Sequence, residues 1–145
     1  MPAMIEPTRL REFAMRYTVA WSSQDAARLA AHYSLNGSLT INDGVPALGR
    51  EAIKAAAQEF MTGFPDLQVV MDDLRIEGEY PEYRWTLSGT NNGPGGTGNR
   101  VCVSGFEMWK IGEDGLIAES HGHFDSADYQ RQLQRGVTGT RAESI

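Results

Sequence analysis

The chain has one cysteine, no block of lysine and arginine, and no apolar run long enough for a membrane. Each shortage excludes something. Cys102 cannot close an internal disulfide, and its place in a strand pattern reads as one buried thiol, which fits a reducing compartment. With no basic block and a net charge of −6, nucleic acid and anionic membranes are poor partners. The opening Met1-Pro2-Ala3-Met4-Ile5-Glu6 has neither a charged leader nor a long apolar core. No signal peptide or membrane span is therefore expected, and the setting is read as cytoplasmic. No Gly-x-Ser-x-Gly elbow is present, and Cys102 has no nearby histidine in sequence, so nucleophilic serine or cysteine chemistry finds no signature.

What is there reads as one ordinary globular domain, 145 residues with 41% hydrophobic and 22% charged side chains. Its core should run from about 8 to 136, with a loose polar tail over 137–145. Leu10, Phe13, Ala14, Tyr17 and Trp21 recur at helical spacing and predict a helix from Pro7-Thr8. A short second helix is predicted over Asp25–His32, with Tyr33 turned inward, and a third over Arg50–Thr62, stopped by Gly63 and Pro65. Ser38–Asn42 reads as a short strand. Leu67–Glu77, Glu82–Thr90, Arg100–Ile111 and Leu116–Phe124 read as long ones, the last two joined by an Asp114-Gly115 hairpin turn. A closing helix over Ser126–Arg135 completes an α+β pattern, a curved antiparallel sheet around three N-terminal helices with a pocket between the layers.

One acid interrupts an otherwise apolar strand face. Val101, Val103, Gly105, Glu107, Trp109 and Ile111 share one side of their strand, because side chains alternate. An ionised carboxylate there is costly and tends to regain its proton, so Glu107 is the candidate general acid or base. The competing reading is a structural acid paired with an arginine or capped by backbone donors. Tyr17 is either a core tyrosine bonded to a carbonyl or a donor to a substrate oxygen. Asp43 is a turn former before Gly44, or a second acid at the pocket mouth on the face of Leu39 and Ile41. Asn91 shapes the turn into the Gly-rich loop, or orients a ligand carbonyl.

His121, His123 and Asp125 lie on the side of the last strand opposite Ser120, Gly122 and Phe124. The smaller set is the expected pocket face. Only a bulge would bring His123 inward as a helper. Two histidines could share a metal, but no third ligand cluster is visible, so no metal is expected. Asp125 reads as the cap of the last helix. The loop Gly93-Pro94-Gly95-Gly96-Thr97-Gly98 joins strands and lacks Gly-Lys-Ser/Thr, so it does not read as a phosphate cradle. Tyr83, Trp85, Trp109 and Phe60 are the expected pocket walls.

The run Trp85-Thr-Leu-Ser-Gly-Thr-Asn91, Ser104-Gly105, the Asp114-Gly115-Leu-Ile turn and His123-Phe-Asp125 resemble a SnoaL-like domain of the nuclear transport factor 2-like superfamily. Trp21-x-x-x-Asp25, Gly49-Arg50-Glu51-Ala-Ile and Arg131-Gln132-Leu133 extend the resemblance over roughly residues 8–136. It implies a cone-shaped α+β fold, a deep pocket and a homodimer. SnoaL-type cyclases use a pocket His and an Asp on the last two strands. Here those positions fall on Glu107 and at or beside Gly122, and both residues are replaced. In the related ketosteroid isomerases the helix tyrosine corresponds to Tyr17 and the hydrogen-bonding acid to Glu107. Their proton-shuttling acid falls near Ile41, two residues before Asp43 on the same face. The Asp-Arg-Asp network of limonene epoxide hydrolases cannot be placed on these strands. The resemblance thus implies cofactor-free proton transfer on a small apolar carbonyl compound by an isomerase, aldol-type cyclase or lyase. The rival expectation is a non-catalytic binding module on the same scaffold.

Overall fold

A computed structural model describes residues 6–76 and 80–137, so the expected polar tail lies, from 138 onward, outside the described residues. Helix α1, Pro7–Trp21, starts where Glu6 accepts a hydrogen bond from the Thr8 amide at 2.9 Å. Its stripe of Leu10, Phe13, Ala14, Tyr17, Ala20 and Trp21 is buried. Helix α2, Ala26–Ala30, is capped by Asp25. Strand β1 then runs over Tyr33–Ile41, and the short β2, Ala47–Leu48, pairs with it. Helix α3, Arg50–Gly63, leads into β3 (Gln68–Arg75), β4 (Glu82–Thr90), β5 (Arg100–Ile111) and β6 (Ile117–Phe124), and α4 (Ser126–Arg135) closes the fold.

The six strands form one curved sheet in the order β2-β1-β6-β5-β4-β3. It is mixed rather than wholly antiparallel, because β1 lies parallel to β6. Strand β1 begins five residues earlier than its apolar pattern indicates. Its pairing with β6 is irregular between Tyr33 and Ser38, and that breaks the alternation a sequence reader relies on. Tyr33 is buried as expected, but it points inward from the strand rather than from α2.

The inward faces of β4 and β5 carry Tyr83, Trp85 and Leu87 opposite Val101, Val103, Glu107 and Trp109. Beyond Gly105 toward its N-terminus, β5 pairs only with β4, since β6 ends opposite Gly105. Helix α4 covers that open edge. Buried Gln132 accepts the Cys102 amide hydrogen at 2.7 Å, and the Leu133 carbonyl accepts from Asn99 Nδ2 at 3.1 Å. The Cys102 side chain, expected to be buried, faces outward and is exposed, because α4 covers the strand edge and not its outer face. No helix among the described residues is long and apolar enough to cross a membrane.

Candidate functional site

Glu107 is buried where β5 crosses beneath α1, and its two carboxyl oxygens have different surroundings. Oε1 accepts three hydrogen bonds, from Tyr17 Oη at 2.8 Å, Ser120 Oγ at 2.8 Å and Trp109 Nε1 at 2.9 Å. The donors come from three elements: Tyr17 from the α1 stripe, Ser120 from β6, and Trp109 from the next inward position of β5 itself. Tyr17 Oη also lies 2.9 Å from Tyr33 Oη. Since Tyr17 gives its proton to Glu107, Tyr33 donates to Tyr17. Oε2 has no hydrogen-bond partner among the described residues, and Glu107 forms part of a cavity wall.

Burial raises the Glu107 carboxyl above its ordinary value, opposed by the Trp109, Ser120 and Tyr17 donors. Among the described residues no Arg, Lys or His forms an ion pair with it. The acid is therefore held by neutral donors alone. The Tyr17 and Tyr33 hydroxyls are pushed well above the usual tyrosine value, first by burial and then by the Glu107 charge. Both stay protonated as donors.

The cavity has a volume of about 60 Å³, room for roughly two waters at liquid density, and it is partly open to solvent, so a larger ligand would extend out through its mouth. Leu39, Val69, Leu87 and Val103 form its apolar sides, and Tyr83 and Trp85 its aromatic wall. Gly122 lies opposite Glu107 on β6 and leaves the acid uncovered. Trp21, Ile41, Phe60, Phe124 and Tyr129 complete the lining. Gly105 makes room for the aromatic wall: a Cβ there would stand 2.7 Å from Trp85 Cζ2 and 2.3 Å from the His123 carbonyl oxygen.

Several expected residues lie elsewhere. Trp109 is not a wall, because it sits behind Glu107, stacked on Tyr83 with ring centroids 4.9 Å apart. Tyr17 does not face the cavity, since its hydroxyl is engaged by Glu107 and Tyr33. Asp43 is exposed in the turn after β1, where the Gly44 amide bonds back to Ile41. Its neighbour Asn42 instead accepts the Phe124 amide hydrogen and pins the end of β6. His123 lies on the outer face against Phe106, with ring centroids 5.1 Å apart, because the irregularity in β6 falls at Ile117–Glu119 and its pairing is regular from there to Phe124. Asn91 shapes the Gly-rich loop by donating to Thr97 Oγ1 at 3.1 Å, outside the cavity. Asp125 caps α4. Among the described residues no three His, Cys, Asp or Glu side chains cluster to hold a metal.

One contributor, Ser120, was not singled out from the sequence, and Trp109 was expected there as a pocket wall rather than as a donor to the acid. Ser120 lay on the expected pocket face, and the Trp109 indole follows Glu107 on its own face, so strand alternation alone placed both beside the acid. Tyr129, just inside α4, is a lining residue not singled out from the sequence, whereas Phe124 lay on the expected pocket face.

Replacing Tyr17 with phenylalanine tests the donor cluster. We expect the Glu107 carboxyl to rise further and stability to fall by about 1–3 kcal/mol, since one bond to the carboxylate is lost and Tyr33 loses its acceptor. Carbon-13 titration of the Glu107 carboxyl checks the first effect and urea unfolding the second. An unmoved titration would mean that the Tyr17 bond does not govern the acid.

A buried acid in an apolar cavity between helices and a curved sheet defines an α+β small-molecule pocket protein. Residues 11–133 match the model of the SnoaL-like polyketide cyclase family, and the chain belongs to that family. Its fold is shared with solved structures of low sequence identity. A protein described as a SnoaL-like polyketide cyclase from Jannaschia sp. CCS1 is 19% identical, with a TM-score of 0.78 over 93% of this chain and 99% of that one. TsrD from Streptomyces laurentii is 24% identical, with a TM-score of 0.77 over 92% and 100%. A ketosteroid isomerase-like fold from Catenulispora acidiphila, in complex with trimethylamine, is 14% identical, with a TM-score of 0.74 over 85% and 92%. No curated protein sequence matches the chain.

Proposed function

We propose that this protein moves a proton on a compact, apolar carbonyl compound without a cofactor, as an isomerase, aldol-type cyclase or lyase. The observation that carries the reading is the divided carboxylate of Glu107. Three donors fix Oε1, Oε2 has no hydrogen-bond partner among the described residues, and Glu107 lines the cavity. A proton leaving the carbon beside the ligand's carbonyl would pass to Oε2 and return from it to another atom of the enol. Membership of a cyclase-type family supports the small-molecule role. Tyr17, Ser120 and Trp109 are positioning residues in this scheme, acting through Glu107. Asp43 and His123 have no part in it, given their places on the surface.

The test is deuterium exchange from solvent into the α-carbon of indan-1-one, followed by proton NMR. The wild type should exceed buffer and Glu107→Gln should not. Binding without exchange would favour the ligand-binding module. That rival draws on the resemblance itself, in which the cyclases' His and Asp positions fall on Glu107 and at or beside Gly122.

A homodimer and a cytoplasmic setting belong to the same proposal. The outer sheet face supports the first, with Arg84, Phe106 and His123 in one cross-strand row and the Arg84 guanidinium 5.3 Å from the Phe106 ring centre. Sedimentation equilibrium should give twice the chain's mass, and Phe106→Glu should return it to one. A monomeric wild type at micromolar concentration would end that part of the reading.

A further inference from the structure

Trp85 carries a polar atom that the fold leaves without a partner. Its Nε1 is buried and makes no hydrogen bond to any described residue. Other polar groups near the acid are engaged. Trp109 Nε1 donates to Glu107, and the Tyr83 hydroxyl lies 2.5 Å from Thr18 Oγ1. Tyr129 is part-exposed, so water can serve its hydroxyl. A dry, unpaired N–H is rare in native proteins, because the bond it loses to water is not replaced.

Its position gives it a use. Trp85 belongs to the cavity wall and pairs across the ladder with Gly105, while Glu107 is the next residue of β5 on that face. Diagonal neighbours of this kind are about 7–8 Å apart in the backbone, close enough for one small molecule to touch both side chains. The ring edge at Cζ2 occupies the space that a side chain at 105 would fill, and Nε1 is two bonds from that carbon.

Building on the proton-transfer reading above, we propose that ligand binding shifts the Trp85 ring enough to uncover Nε1, whose N–H then donates a hydrogen bond to the oxygen of the bound ligand. The ligand is then a compact carbonyl compound with its oxygen toward β4 and its α-carbon toward Glu107 Oε2. When the α-proton moves to Oε2, the C–H electron pair forms the enolate double bond. The carbonyl π pair moves onto the oxygen that faces Trp85. Trp85 thus takes the donor role that the sequence offered to Tyr17. It also selects for an acceptor oxygen in a wall that is otherwise nearly all apolar.

The experiment compares indan-1-one with indane, the same bicycle without the oxygen, in nitrogen-15 spectra of the labelled protein. Trp21, Trp85 and Trp109 give three indole signals, and Trp85→Phe assigns one of them. The ketone should move the Trp85 indole proton downfield, and indane should not. Trp85→Phe should weaken the ketone roughly tenfold or more and leave indane nearly unchanged. If that variant does not fold, Trp21→Phe and Trp109→Phe assign the other two signals, and the wild-type spectra then decide. A ketone that binds, and exchanges its α-protons, without a distinct Trp85 shift would overturn the donor assignment and leave the Glu107 reading standing. Failure of both compounds to bind at millimolar concentration would overturn both.

Discussion

Glu107→Gln should lose proton transfer by roughly 10²–10⁴-fold and yet fold more stably than the wild type at neutral pH. The amide oxygen can take the place of Oε1 and accept from Tyr17, Ser120 and Trp109. The amide nitrogen then stands where Oε2 stood and carries no charge to desolvate. The pH dependence follows from the direction of the shift. Burial holds the folded carboxyl above its unfolded value, so the folded state keeps a proton that the unfolded state has released. Stability contributed by Glu107 is present below the ordinary glutamate range. It falls as pH rises through the raised folded value and is level above it.

Other acids, such as Asp66 and Asp114, are shifted the opposite way by their hydrogen bonds and would mask this in the wild type alone. The difference between wild type and Glu107→Gln at each pH isolates the one group. Urea midpoints from pH 4 to 8 would show a gap that opens in favour of the variant. A gap that opens in favour of the wild type would mean that Glu107 is stabilised as an anion. The poised-acid argument would then be lost.

Much of this was legible, and the reasons are local. The α1 stripe is read from five residues at helical spacing, and β4, β5 and α4 lie between the same bounds in sequence and structure. Glu107 stood out because one acid breaks a period-two apolar face. What alternation cannot give is depth along the strand. Trp85 and Trp109 share a face of the sheet, but Trp109 lies under α1 against Phe13 and Tyr17, whereas Trp85 meets the cavity. The parallel pairing of β1 with β6 joins segments some eighty residues apart and leaves no local mark. Tyr17 was found as a buried helix residue. Its hydroxyl's target needed the register of α1 over β5, which only packing sets.

The largest loss of stability is expected for Trp109→Ala. Trp109 is fully buried, stacked on Tyr83 and met edge-on by Phe13 at 5.8 Å and Tyr17 at 5.1 Å between centroids. Truncating such a ring costs about 3–5 kcal/mol through lost contacts and the cavity left behind. That is a large part of the roughly 5–15 kcal/mol that holds a domain of this kind together. Loss of the indole N–H adds to it, because Glu107 Oε1 is left with two donors and burial then raises its carboxyl further. The two causes separate in Trp109→Phe, which keeps most of the ring and removes the same hydrogen bond. Trp109→Phe should unfold at an intermediate urea concentration but titrate Glu107 as high as Trp109→Ala does. Equal stability losses in the two variants would assign the effect to the hydrogen bond. An alanine variant within about 1 kcal/mol of wild type would mean that the aromatic cluster is not what holds α1 against the acid.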